Sequence, residues 1–259
     1  MILTRLEKIL KLNSILLKEN PNPRASEVPK TEKDQLQLLR ALMNVRDPAP
    51  ISQEFLDLQD EILREEIDRK GIIEIGDKEM LSFDSGKIFL WQGDITRLKV
   101  DAIVNAVNSA MLGCFIPLHN CIDNAIHSAA GIQLRNTCDE IMNGNQCETG
   151  NAIITPGFNL PARFVIHTVG PIIDHAGLPH RKECDLLAKC YESSLNLAHE
   201  KNLSSVAFCC ISTGVFHFDN ETAARVAIRS VRKFAGNIRV IFNVFKTMDL
   251  EIYKRFLKN

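Results

Sequence analysis

The feature that most constrains the fold is a change of rhythm near residue 85. Beyond it the chain carries short segments rich in β-branched and aromatic residues: GKIFLWQ, DAIVNAV, NAIITPG, RFVIHTV, SVAFCCIS and RVIFNVF. Several are apolar almost throughout, as expected of strands covered on both faces. Between and after them lie stretches with helical periodicity, spanning roughly 122–143, 182–202, 219–236 and 248–258. Strands alternating with helices specify an α/β layered domain with a largely parallel or mixed sheet. In such sheets ligands bind beyond the carboxyl ends of strands, so the loops after strands are the places to search for chemistry.

The residues before that change read as helices. Ile2, Leu3, Leu6, Ile9, Leu10, Leu16 and Leu17 recur at helical spacing, and the closely spaced prolines of NPNPRASEVPK then break the pattern. A second amphipathic stretch places Leu36, Leu39, Leu42 and Met43 on one face. A third follows an N-cap near Ser52 and carries Phe55, Leu58, Ile62 and Leu63. This is expected to be a helical extension, residues 1–85, packed as a cap on a main domain at 86–259.

Composition excludes several classes. A formal charge of −1 and the absence of an evident basic stripe give no electrostatic reason to expect nucleic-acid binding. The opening residues lack the continuous apolar run of a signal peptide, and no stretch is long enough to span a bilayer. A cytoplasmic protein with no membrane partner is therefore expected. Eight cysteines in 259 residues are too few for a secreted disulfide scaffold and read as core thiols with a few possible ligands.

Four post-strand loops stand out. WQGDIT places Asp94 just past Gly93, and NAVNSAMLG sets Asn105 and Asn108 at its mouth. GCFIPLHNCIDN follows, and ISTGVFHFDN offers Ser212, Thr213 and Gly214, whose backbone N–H groups suit an anion. Taken alone, Asp94 is a turn aspartate.

With GDIT, VNAVN and ISTGVF in this order, residues 86–259 resemble a macrodomain, a three-layer α/β/α module with a mixed sheet that binds ADP-ribose. The resemblance implies that Asp94 meets the adenine amino group with Ile95 beside it. It also implies that Ser212, Thr213, Gly214, Val215 and Phe216 wrap the diphosphate and that Asn108 meets the distal ribose. The chemistry agrees: converging N–H donors suit a diphosphate, and a carboxylate accepts from an adenine amino group. His217 stands where the family often has glycine.

Most macrodomains have a run of glycines after the second asparagine, whereas this chain has MLGCFIPLHNCIDN. Cys114, His119 and Cys121 form C-x4-H-x-C, a donor set suited to Zn²⁺. Three protein ligands favour a catalytic ion with an open position. A fourth, such as Cys147 or Cys184, would make the site structural. The insertion and the helical extension both resemble the zinc-dependent macrodomains of the sirtuin-linked microbial subgroup, which are ADP-ribosyl hydrolases. A helix starting near Ile122 is expected to help keep Cys121 as thiolate. Asp123, in its first turn, complements the helix dipole or, by the resemblance, steers or accepts a proton. His127, one turn on, reads as a packed imidazole, as does His167. Cys209 and Cys210 are placed in a strand, and Cys138 and Cys190 in helices.

The function expected from the resemblance is zinc-dependent hydrolysis of mono-ADP-ribose from acidic side chains of a protein, which could be a lipoyl carrier. The rivals are a non-catalytic ADP-ribose reader with a structural zinc and, disfavoured by charge, a zinc-stabilised nucleic-acid-binding domain.

Overall fold

The computed structural model describes residues 3–19, 31–174 and 178–258. Three helices open it: α1 (Arg5–Glu19), α2 (Glu32–Val45) and α3 (Gln53–Lys70). Thr31 caps α2 and Ser52 caps α3, each accepting from a backbone N–H in the first turn. The expected break at NPNPRASEVPK and the position of Ile2 lie outside the described residues. The apolar stripes meet as expected. Ile9, Leu12, Leu16, Leu39, Leu42, Met43, Phe55, Ile62 and Leu63 form one buried cluster, joined by Ile132 of the following domain.

The remainder runs β1 (Ile73–Glu74), β2 (Leu81–Phe83), β3 (Ile88–Gln92), β4 (Leu98–Lys99), β5 (Ala102–Val107), α4 (Ile122–Ala130), α5 (Ile132–Met142), β6 (Ala152–Pro156), β7 (Phe164–Val169), α6 (Arg181–Glu200), β8 (Ser205–Phe208), α7 (Asn220–Phe234), β9 (Arg239–Val244) and α8 (Thr247–Leu257). Seven strands form one sheet in the order β2-β3-β9-β8-β5-β7-β6. From β3 through β9, β8 and β5 to β7 every pairing is parallel, while the edge strands β2 and β6 pair antiparallel. The expected mixed α/β/α architecture is present, with helices flanking the sheet. α6, α7 and α8 pack in one group, and α4 and α5 form another against the extension. No described helix is long and apolar enough to cross a membrane.

Several expectations need amending. Strand β2 pairs with β3, so the seven-stranded sheet reaches back past the expected boundary at residue 86, and β1 pairs with β4 in a separate two-stranded sheet. The helix expected over 122–143 is two helices. Gly131 stands between them at φ +99°, and a side chain there would meet the Gln59 amide of α3 at 2.6 Å. Strand β8 ends at Phe208, leaving Cys209 and Cys210 just beyond it. A basic stripe does exist on the surface: Arg225, Arg229 and Arg232 of α7 line a groove with Arg255 and Phe256. Within it Arg232 pairs with Asp84 and Arg255 with Glu221.

Candidate functional site

Because the central strands are parallel, the loops after β3, β5, β8 and β9 all leave the same end of the sheet. Asp94 follows β3 and caps a short 3-10 turn, its Oδ1 accepting from the Thr96 N–H (3.0 Å) and hydroxyl (2.6 Å). Its Oδ2 faces Lys70 Nζ at 3.0 Å, the last residue of α3. Burial alone would raise the Asp94 pKa, but the Thr96 bonds and the Lys70 charge outweigh it and hold the carboxylate below its ordinary range. Ile95 is buried in the core, so its contact with a ligand would run through the backbone.

Beyond β8 the chain turns through residues 211–218. Ser212 and His217 both take left-handed conformations, at φ +65° and +57°. The turn is closed by Phe218 N–H to Ser212 O (3.0 Å) and His217 N–H to Gly214 O (3.1 Å). Among the described residues, the N–H groups of Gly214, Val215 and Phe216 find no backbone acceptor, and Val215 is 64% exposed. Such a set of free donors ahead of a helix N-terminus is suited to an anion. The His217 side chain is exposed, held in a conformation that glycine would adopt without strain.

Asn108, exposed after β5, uses its amide on the Gly113 carbonyl (3.3 Å) and its oxygen on the Ala110 N–H (3.1 Å), so it shapes the loop that follows. The Cys114, His119 and Cys121 donor atoms lie within 4.8 Å of one another. Cys114 Sγ and His119 Nδ1 are 3.5 Å apart, about the separation that two ligands of one tetrahedral zinc ion would have. Among the described residues no fourth donor joins this group; Cys147 packs instead against a small cluster that includes Met111 and Met142. Cys121 is the N-cap of α4, its sulfur accepting from the Asn124 N–H at 3.4 Å. That bond favours thiolate, but burial acts more strongly and the neighbouring Cys114 and Asp123 act with it, pushing the thiol up. The helix end acts in the expected direction, towards thiolate, with burial acting against it. A cation between the sulfurs would supply the missing compensation, so the donor set fits a soft divalent ion.

Asp123 is buried in the first turn of α4. Its Oδ1 accepts from Asn105 Nδ2 at 2.9 Å, a side chain wholly buried in β5. Burial raises its pKa to about 6, against the opposing pull of Asn105 and of Arg135. His127 Nε2 stands 3.4 Å from the same oxygen, without hydrogen-bond geometry, and burial holds the imidazole neutral. Behind them His167 is a core residue, as expected: Nδ1 faces the Asn105 amide (3.4 Å) and Nε2 the Thr155 hydroxyl (3.0 Å). His127, Cys138 and His167 form a second gathering of metal-ligand types, but Asn105 and Thr155 already engage both His167 nitrogens.

The Macro domain family model matches residues 104–227. The protein-ADP-ribose hydrolase of Treponema medium is 47% identical over 98% of this chain and 100% of its own length. This chain belongs to the macrodomain family. The Oceanobacillus iheyensis macrodomain with ADP superposes with a TM-score of 0.60 at 38% identity, covering 69% of this chain and 94% of that one. The Trypanosoma brucei macrodomain in complex with ADP-ribose gives 0.63 at 29% identity, covering 88% and 97%.

In this macrodomain two residues near the proposed pocket were not singled out by the sequence reasoning, Phe245 and Lys70. Phe245 follows β9, is 78% exposed and gives its carbonyl to Gln92 Nε2, two residues before Asp94. An aromatic closing RVIFNVF while remaining in solvent was its only signal. Lys70 gave none, because its partner lies 24 residues on. Asn105 was placed at the loop mouth but lies buried in β5, whereas His127 is a packed imidazole as expected, 3.4 Å from Asp123.

Proposed function

We propose that this macrodomain is a zinc-dependent hydrolase that removes ADP-ribose from the acidic side chains of modified proteins. The coarser statement, an enzyme that removes ADP-ribose from proteins, follows from near-full-length similarity to curated protein-ADP-ribose hydrolases. The zinc dependence is carried by a single observation, that Cys114, His119 and Cys121 converge in the loop between Asn108 and Asp123, and the acidic linkage is the expectation drawn from the resemblance. That loop leaves the end of the sheet that also bears Asp94 and residues 212–216.

The side chains divide the nucleotide between them. Asp94 accepts from the adenine amino group, Ile95 lends backbone contact, and Phe245 offers a ring for stacking. The N–H groups of Gly214, Val215 and Phe216 receive the diphosphate, with Ser212 and Thr213 shaping the turn. Asn108 lies at the distal ribose. Zn²⁺, held by Cys114, His119 and Cys121, supplies Lewis acidity there when bound. Asp123, anchored by Asn105 and touched by His127, orients or accepts a proton from the water that replaces the protein carboxylate. Water adds across the ester, giving ADP-ribose with a free hydroxyl and the restored carboxylic acid. Carboxylate is a competent leaving group, so positioning and charge stabilisation suffice without a protein nucleophile.

The substrate is an ADP-ribosylated protein, and a lipoyl-carrier protein is the first to assay. The test is to measure bound metal in freshly purified protein and to follow ADP-ribose release from an aspartate- or glutamate-modified carrier by mass spectrometry, before and after chelation. Zinc near one equivalent, with release lost on chelation and restored by zinc, is expected. Undiminished release by metal-free protein would overturn the zinc reading and leave the hydrolase.

A further inference from the structure

We infer that helix α2 of the N-terminal extension is the template on which the metal-donor loop is held, with Asn44 and Arg40 as its positioning residues. The inference rests on the zinc reading of Cys114, His119 and Cys121. It concerns residues that lie 70 or more positions upstream of that loop and touch no donor atom.

Arg40 and Asn44 are one helical turn apart, on the same face of α2. Asn44 is buried; its Oδ1 accepts from the Leu118 N–H at 3.0 Å, and its Nδ2 donates to Ser128 Oγ of α4 at 3.0 Å. Leu118 stands immediately before the ligand His119 and is left-handed, at φ +55°. A residue bearing a side chain stays there only when its surroundings hold it, and the Asn44 bond is what holds its N–H. Arg40 Nη2 then reaches the carbonyl of His119 itself (3.3 Å) and Asn124 Oδ1 (2.8 Å). Asn124 passes the restraint on, donating Nδ2 to the Ile116 carbonyl (3.0 Å) and its N–H to Cys121 Sγ (3.4 Å).

The other end of the loop is referenced to the same helix. Arg135, buried in α5, donates Nη1 to the carbonyls of Met43 (3.1 Å), Asn44 (2.9 Å) and Arg46 (2.5 Å) at the C-terminus of α2. Its remaining edge serves the carbonyls of Leu112 (2.7 Å) and Cys114 (3.5 Å). Within the loop the bonds gather at its start, where Asn108 engages Ala110, Met111 and Gly113; between Cys114 and Cys121 the one backbone bond among the described residues is His119 N–H to Ile116 O. A loop so sparsely bonded would have to be ordered by the ion, at a cost in affinity. Helix α2 removes that cost by holding the donors near each other beforehand. The extension is therefore a part of the metal site and not only a cover for the sheet.

The test compares wild type with Asn44→Leu, Asn44→Asp, Arg40→Met and Arg40→Lys. Zinc affinity is measured by competition with a chromophoric chelator, the thiolate-to-metal bands with cobalt, and the ADP-ribose Kd by calorimetry on metal-free protein. Asn44→Leu and Arg40→Met are expected to weaken zinc by about 10- to 100-fold, the range for partners that orient metal ligands, and to alter the cobalt bands. Asn44→Asp keeps an acceptor for Leu118 and Arg40→Lys keeps a charged donor, so both should recover most of the affinity. ADP-ribose binding should hardly change in any of them. Should Asn44→Leu lose its folded circular-dichroism spectrum, the Arg40→Met and Arg40→Lys pair decides. Zinc affinity and cobalt bands unchanged in the Leu and Met variants would overturn the inference while leaving the zinc reading intact. A wild type that takes up no zinc would bring down both.

Discussion

Asn105 shows how one buried side chain can set the geometry of the chemistry. Its amide has two hydrogens, and the structure gives one to Asp123 and directs the other at His167 Nδ1. Burial keeps His167 neutral, with its pKa lowered to about 3. In the tautomer protonated on Nε2, which faces the Thr155 hydroxyl, Nδ1 accepts from the Asn105 amide and orients it. Asp123 is thereby aimed from a rigid strand instead of a loop. Asp123→Asn preserves the shape but abolishes the basicity. Turnover is expected to fall by about 10²- to 10⁴-fold, the usual worth of a general base, while calorimetry finds ADP-ribose bound within a few-fold of wild type. A variant that kept wild-type turnover would remove Asp123 from the chemistry. Phe245 makes the complementary case. If its exposed ring stacks on adenine, Phe245→Ala weakens ADP-ribose binding by about 1–3 kcal/mol and leaves the rate at saturating substrate unchanged. Equal affinity for both proteins would exclude the stack.

At the scale of elements, the sequence was legible wherever burial is continuous. β3, β5, β7 and β9 carry apolar runs through the core, and the helices between them carry stripes, so their order was readable. Strands β1, β2 and β4 are two or three residues long, which is too short for any periodicity to register. The break at Gly131 had a local signal in the glycine itself, which ends α4 at φ +99°, while the approach of Gln59 from α3 is a contact no local pattern encodes. The grouping of Cys114, His119 and Cys121 was legible because they are close in sequence, whereas Asn44 and Arg40 reach that loop from a distant helix. Asp101 offers a test of such long-range ties. It stands just before β5 and receives the Ser204 N–H (2.8 Å), the Ser204 and Ser205 hydroxyls, and Arg163 (2.9 Å), joining the starts of neighbouring strands. Partial burial would raise its pKa, but these partners lower it to about 2. The folded state therefore prefers the carboxylate, and its contribution to stability is complete above the unfolded value of about 4. It disappears as pH falls from there towards 2. Urea unfolding of Asp101→Asn should show a lower midpoint than wild type at neutral pH, with the gap closing below pH 4. A gap that persisted at pH 2 would mean the carboxylate is not the source.

For the molecule as a whole, the question is whether extension and sheet are one cooperative unit. Their apolar cores are separate clusters, with Ile132 of α5 counted in the extension's cluster and not in that of the sheet. By packing alone the two could open independently. The polar contacts say otherwise. Gln59 Oε1 accepts from the Ile132 N–H (3.0 Å), Asn159 donates to Asp60 (2.7 Å), Asn44 to Ser128, and Arg135 to carbonyls at the end of α2. Opening the seam while each part stayed folded would break these bonds together. Water would replace the lost partners, so each bond contributes about 0.5–1.5 kcal/mol net, and their loss together opposes opening. Calorimetric unfolding is accordingly expected as a single transition, with van't Hoff and calorimetric enthalpies in agreement. Because α2 holds the donor loop, zinc should move that entire transition. At a free concentration near 1,000 times Kd it contributes about 4 kcal/mol, which for a chain of this size is an upward shift on the order of 10 °C. Two resolved transitions, with zinc raising only the one that reports the sheet, would make the extension an independent domain and detach it from the metal site.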